Sequence, residues 1–217
     1  MQLNDASPKV PAHETVYRRL REMILCGELE PGQAVTIQGL IDSLGAGMTP
    51  VREAIRRLTA EHALEFQGNR RVSVPVLTPD DVAELAYARL ALEPQLAKWA
   101  TAKITDAGID ALEVIDDGVN TAIEKGDVRS YLVHNYQFHA TLYAASEART
   151  TMRLADALWL RMGPSLRVMG GRFGTSNIED RHADAIEGLR ARDADAVERA
   201  IWADINQGFE QIRASVD

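Results

Sequence analysis

From Asp80 to the C-terminus every long segment carries apolar residues at helical spacing, and none alternates convincingly as a strand would. That single feature confines about two thirds of the chain to an all-helical packing. The periodicity predicts helices over 79–104, 106–125, 127–146, 149–168, 177–191 and 193–214, with breaks at Gly126-Asp127, Gly163-Pro164 and Gly170-Gly171. With 217 residues and 46% hydrophobic content the chain can bury one large core or two modest ones, and the change of pattern before Asp80 favours two.

The first part is patterned differently. Residues 1–11 are polar, contain Pro8 and Pro11 and show no period, so a flexible arm is expected. Val16, Leu20, Met23 and Ile24 then recur at helical spacing up to Gly27, followed by the turn Glu30-Pro31-Gly32-Gln33. A short helix Ile37–Leu44 is expected with Thr36 as its N-cap, broken by Gly45-Ala46-Gly47. Thr49-Pro50 restarts a helix to about Glu61, with Thr49 as candidate cap and Glu53 complementing the dipole. Leu64-Glu65-Phe66 and Val72-Ser73-Val74 flank Gly68-Asn69-Arg70-Arg71 as a β-hairpin would. Pro75, Thr78 and Pro79 mark a linker. Two short helices across a glycine turn, then a hairpin, make a winged helix-turn-helix over 12–77, leaving 78–217 as an antiparallel helical bundle.

Charge supports this division. Residues 1–77 hold nine Lys/Arg and nine Asp/Glu, whereas 78–217 hold fifteen and twenty-three, the whole of the net −8. Only the first part can face a polyanion, because affinity for DNA rests on basic side chains neutralising phosphates. On the expected recognition helix Val51, Ile55 and Leu58 face inward, while Thr49, Arg52 and Arg56 share another face. Arginine there matches guanine O6/N7, and the helix N-terminus can hold a phosphate. Gln38 on the preceding helix joins these candidates, and Arg70 and Arg71 at the wing tip are placed for phosphate or minor-groove contact. The bland alternative is that Arg52, Arg56 and Arg57 only solvate an exposed face.

No stretch nears the roughly 18 apolar residues of a membrane span. The start lacks the basic end and apolar run of a signal peptide. Cys26 stands alone, so a disulfide within the chain is excluded and a buried apolar role expected. A cytoplasmic protein follows as the expectation.

Tyr17-x-x-Leu20-Arg21-x-x-Ile24-x-x-Gly27-x-Leu29-x-Pro31-Gly32, with Leu44-Gly45 and Thr49-Pro50-Val51-Arg52-Glu53-Ala54-Ile55-Arg56-Arg57-Leu58, resembles the winged-helix half of the GntR regulators. The resemblance implies DNA contacts by Thr49 and Arg52. Three positions depart from the family pattern: Gly47 and Met48 replace the usual hydroxyl residue and Arg, and Arg71 the usual wing-tip Gly.

Further on, Leu85-x-x-Ala88-Arg89-x-x-Leu92-Glu93-Pro94, Phe138-His139-x-x-Leu142-x-x-Ala145-Ser146, His182-x-x-x-Ile186 and Ala191-x-Asp193 resemble the helical effector (FCD) domain of the FadR-type branch. That resemblance implies a dimerising bundle that binds a small organic acid and, in many members, a divalent metal held by one Asp and three His. Carried over residue by residue, the ligands become Asn135, His139, His182 and Asp204, two of them changed in identity. Such a mixed N/O set suits zinc, nickel, manganese or iron. The alternative is a group of core polar residues satisfying one another around water. His134, five residues from His139, is expected to point elsewhere.

Arg89, on a mostly apolar helix, has two candidate partners: Glu93 at i+4, or an effector carboxylate gripped by its guanidinium fork. Tyr87, Arg161, Arg167 and Trp202 are weaker pocket candidates, and Met152, Met162 and Met169 are expected to fill core gaps. The leading expectation is an effector-responsive transcription regulator, most often a repressor in such families, acting on operator DNA as a homodimer. An enzyme built on two His and one carboxylate, and a DNA-binding dimer with a purely structural bundle, are the competing readings.

Overall fold

The computed structural model describes residues 11–67, 71–172 and 179–216. Among these residues the chain is mainly helical with one small antiparallel sheet, and no helix is long and apolar enough to cross a membrane.

Helix α1 (Ala12–Leu25) ends in a turn at Gly27, whose positive φ of 62° suits glycine. Strand β1 (Ala34–Val35) leads into α2 (Ile37–Leu44), capped as expected by Thr36, whose hydroxyl accepts from the Gly39 amide at 3.0 Å. Gly45, at φ 59°, closes α2 in the left-handed conformation. Helix α3 spans Met48–Ala60 and buries Val51, Ala54, Ile55 and Leu58. Its N-cap is Gly47, not Thr49: the helix begins two residues earlier, the Gly47 carbonyl accepts from the Val51 amide at 3.3 Å, and Thr49 lies exposed within the first turn.

Strands β2 (Glu65–Gln67) and β3 (Arg71–Ser73) form the wing, with Phe66 opposite Val72. β1 pairs with the other edge of β3, giving the order β1-β3-β2. The sequence reading lacked β1, a two-residue strand.

Thr78 and Asp81 form a reciprocal capping box at the start of α4 (Pro79–Thr101). Then come α5 (Asp106–Lys125), α6 (Val128–Ala145), α7 (Arg149–Arg172), α8 (Arg181–Arg190) and α9 (Ala194–Val216). Helix α4 packs along α9, α5 against α6, and α8 against α9. The core includes Phe138, Phe209, Leu96, Ile109, Leu112 and Leu142, all essentially without solvent contact. Burial of side chains this size contributes about 1.5–3 kcal/mol each. Cys26 is buried, as expected.

The expected breaks at Gly163-Pro164 and Gly170-Gly171 are absent, because α7 runs through both pairs. At Gly163 the reason is packing rather than local flexibility. A Cβ built there would lie 2.9 Å from Leu25 Cα and 3.0 Å from the Ile24 and Leu25 carbonyl oxygens, so the missing side chain lets α7 seat against the end of α1. Polar contacts tie the same junction. Arg167 Nη1 donates to the Gly27 carbonyl at 2.8 Å, Arg129 pairs with Glu28 at 2.6 Å, and Arg21 pairs with Asp156. Arg167 is therefore a junction residue. Helix α8 starts at Arg181 rather than 177, with the Asp180 carboxylate accepting from the Ala183 amide at 3.0 Å.

Candidate functional site

Two places concentrate polar groups that packing alone does not require. The first is the outer face of α3. Thr49, Arg52 and Arg56 are all exposed there, and Gln38 is exposed on α2. Arg56 is engaged by Glu53 at 2.5 Å and Gln38 by Asp42 at 2.9 Å. Arg52 has no ion pair or side-chain hydrogen bond among the described residues, so its fork is available to an outside acceptor. Met48, half exposed, opens the same helix. Arg57 belongs elsewhere: its guanidinium lies 3.5 Å from the centre of the Tyr17 ring and pairs with Glu14 at 3.0 Å and Glu61 at 3.2 Å, fastening α3 to α1. Arg71 is exposed on β3, and Arg70 lies outside the described residues.

The second place is the centre of the bundle. His139 of α6, His182 of α8 and Asp204 of α9 bring ligand atoms within 4.8 Å of one another. His139 Nε2 is 3.1 Å from Asp204 Oδ2 and 3.4 Å from His182 Nε2, and His182 Nε2 is 3.8 Å from Asp204 Oδ1. The other nitrogen of each ring is held from behind. His182 Nδ1 is 2.8 Å from the Asp116 carboxylate, and its ring stacks on Phe138 at 3.9 Å. His139 Nδ1 is 3.0 Å from the Tyr143 hydroxyl, which donates its single proton to Glu93 at 2.8 Å.

These partners assign the tautomers. Because Tyr143 has already donated, its oxygen accepts from His139 Nδ1–H, which leaves a lone pair on Nε2. Asp116 accepts from His182 Nδ1–H in the same way. Burial pushes His139 below the ordinary imidazole range. For His182 burial acts in the same direction, but the hydrogen bond to Asp116 and the Asp204 charge outweigh it and raise the value. Asp204 is held at about 2, the His139 contact overcoming the effect of its burial. With both rings neutral, three electron-pair donors converge on one point; a proton on Nε2 instead donates to Asp204, which is the contact that holds this carboxylate low. Two of the separations, 3.1 and 3.4 Å, fall in the roughly 3–3.5 Å expected between ligands lying about 2.0–2.2 Å from a shared ion, and the third, 3.8 Å, is somewhat longer.

Behind this point lies a cavity of about 100 Å³ lined by Arg89, Asn135, Trp159, Met162, His182 and Asp204, among others. The expected ligand Asn135 is thus on the cavity wall, half buried. Arg89 is there too, but not as a free fork. Its Nε and Nη2 bind the two oxygens of Glu93 at 2.5 and 3.0 Å, its Nη1 contacts Met162 Sδ at 3.4 Å, and its guanidinium lies 4.0 Å from the centre of the Trp159 ring. Glu93 also accepts from Trp159 Nε1 at 3.0 Å, so this buried carboxylate has a donor on every side.

Three weaker pocket candidates do not reach the cavity. Tyr87 is 79% exposed and Trp202 48%, and Arg161 sits near Asp81 at 3.7 Å. His134 points elsewhere as expected, its Nδ1 2.8 Å from the Ser130 carbonyl and its ring against Gly118. Met162 is buried, as its expected role requires. Met152 is half buried against the core, and the Met169 side chain lies outside what is described. Sequence reasoning missed Asp116 and Tyr143. Asp116 left a signal: it falls on the buried stripe of α5 with Ile109, Leu112 and Val119, where an acid is out of place unless something binds it.

A winged helix-turn-helix joined to a helical bundle is the architecture of a DNA-binding transcription regulator. The chain belongs to the GntR family of bacterial regulatory proteins: the family's DNA-binding part matches residues 12–74 and the FCD domain matches residues 84–207. It is 28% identical over 182 residues to the transcriptional regulator McbR of Escherichia coli, spanning 82% of each chain. It is 26% identical over 207 residues to a probable D-xylose utilization operon transcriptional repressor of Paenarthrobacter nicotinovorans, covering 91% of this chain and 88% of that protein. The solved structure of E. coli McbR/YncC superposes with a TM-score of 0.89 at 23% identity, covering 96% of this chain and all of that one.

Proposed function

We propose that this regulator is a dimeric repressor whose unit at 12–77 grips operator DNA through Thr49, Arg52 and Arg56, with Gln38, Arg70 and Arg71 in support. Its unit at 78–217 senses a small carboxylate at a bundle-centre divalent ion. The observation that carries the sensing half is the convergence of His139 Nε2, His182 Nε2 and the Asp204 carboxylate, all acceptors when both rings are neutral. A single proton relieves one of the three contacts; a divalent ion relieves all of them. Asp116 and Tyr143 supply the outer hydrogen bonds that orient ligating histidines.

The donor set fits zinc, nickel, manganese or iron, with Asn135 on the cavity wall as a fourth candidate ligand. Such an ion would supply positive charge and open positions to a carboxylate oxygen. A cavity of about 100 Å³ holds several waters' worth of space, which suits a small acid. Arg89 contributes its outer Nη1 edge and positive field rather than a bidentate grip, because Glu93 already occupies the fork. Ligand binding would bias the bundle, and the α1–α7 junction passes that bias to the DNA-binding unit.

The test is operator affinity, followed by fluorescence anisotropy, of metal-supplemented protein with a panel of short organic acids. The proposal expects at least one acid to change operator affinity in wild type and to lose that effect in Asp204→Ala, which should still bind operator. An acid acting equally on both proteins, or no acid acting on either, would overturn the sensing half.

A further inference from the structure

A second cleft lies on the far side of Trp159, between α6 and α7, with a volume of about 380 Å³ against about 100 Å³ at the bundle centre. Its walls are aromatic and soft: Tyr136, Tyr143, Trp159 and Met152. Its rim carries Arg149 and Arg153, one turn apart on α7 and both exposed. Neither guanidinium has a carboxylate partner among the described residues. Arg129, Arg167, Arg190 and Arg192 of the same helical domain each hold an acidic side chain, whereas Arg199 and Arg213, on α9 and away from this cleft, hold none among the described residues. The one acid in the cleft, Asp156, is already engaged by Arg21 of α1 and by the Tyr136 hydroxyl at 2.9 Å. The cleft therefore offers two uncommitted positive charges above an aromatic floor.

We propose that this cleft is a second ligand site, separate from the bundle centre, for a single-ring aromatic carboxylate. The ring packs against Tyr136 and the Met152 thioether, over the small part of the buried Trp159 that reaches the cleft, where offset or edge-on aromatic contacts and sulfur–ring contacts are favourable. The carboxylate takes the forks of Arg149 and Arg153, a geometry that guanidinium matches with two parallel N–H donors. Aliphatic acids satisfy the arginines but not the floor. The centre cavity is the smaller of the two, and its charge is organised around His182 and Asp204. Because Asp156 joins the cleft to Arg21, an occupant here lies beside the attachment of α1 and has a shorter route to the DNA-binding unit than one at the bundle centre.

Two methionines separate the sites: Met152 lines only the cleft and Met162 only the centre. Full-length protein labelled with ¹³C at the methionine methyls is titrated with benzoate, with acetate as the aliphatic control, in wild type and in the double variant Arg149→Gln, Arg153→Gln. The expected result is a saturable shift of the Met152 methyl with benzoate and none with acetate. Its apparent Kd should rise by about tenfold or more in the double variant, since two charge-assisted contacts are lost. The shift should survive treatment with a chelator, which keeps the result independent of any metal at the centre. The other methyl signals report that the variant is folded. A Met152 signal that does not move, that moves equally with acetate or in the double variant, or that moves only in step with Met162, overturns the proposal.

Discussion

Gly163→Ala sets helix propensity against tertiary packing. Inside a helix the change should stabilise by about 1 kcal/mol, because glycine loses more backbone freedom on folding. The new methyl, however, would lie 2.9 Å from Leu25 Cα and 3.0 Å from two carbonyl oxygens of α1. All three atoms are backbone and cannot rotate aside, so either α1 or α7 must shift. Overpacking of a fitted contact costs about 1–3 kcal/mol, and a collision with main chain belongs in the upper part of that range. The net expectation is a loss of about 1–2 kcal/mol, concentrated at the junction of the two units. Urea unfolding followed by circular dichroism measures the total, and hydrogen exchange of the α1 amides locates it. An alanine variant more stable than wild type, with α1 protection unchanged, would refute the packing of α7 on α1.

Three further outcomes are expected. Arg52→Ala should weaken specific operator binding by about 1–3 kcal/mol, and Arg56→Ala by less because Glu53 already holds that side chain; anisotropy on operator and scrambled DNA separates the two. Asp116→Asn should lower metal affinity by about 10–100-fold, read by competition with a chromophoric chelator, since it removes the carboxylate behind His182. In metal-free protein the depressed Asp204 value gives stability that is complete above its unfolded value near 3.8 and is lost as pH falls through about 2. Asp204→Asn should flatten that acid limb in a series of urea melts at stepped pH, and an unchanged limb would contradict the assignment.

Local signals carried much of the fold. The Thr36 cap, the Gly45 terminator and the helical period of α4 and α5 are short-range features, and the structure follows them. Where expectation and structure part, the cause is a contact distant in sequence. Gly163-Pro164 has the local chemistry of a break, yet its glycine is needed for an approach to Leu25, about 140 residues earlier. β1 is two residues long and exists because β3, nearly forty residues on, offers an edge. The candidate site divides similarly. His139, His182 and Asp204 were legible from spacing within the family pattern, whereas Asp116 and Tyr143 act through a bundle arrangement that spacing does not encode. Arg89 had two candidate partners in the sequence, and the structure gives it the nearer one, Glu93, a single turn away. Tyr87 sits on α4, whose apolar residues spread around much of the helix, so the sequence did not say which side faced out, whereas Trp202 stands off the stripe of Val197, Ile201, Ile205 and Phe209 that α9 buries.

Elemental analysis of protein purified without an affinity tag decides between a metal site at the bundle centre, as proposed, and a cluster of mutually satisfied polar groups. A metal site gives near-stoichiometric zinc, nickel, manganese or iron in wild type and background levels in His139→Ala and His182→Ala. Wild type devoid of metal after growth and dialysis with each of these ions, or variants that retain the wild-type content, would contradict it.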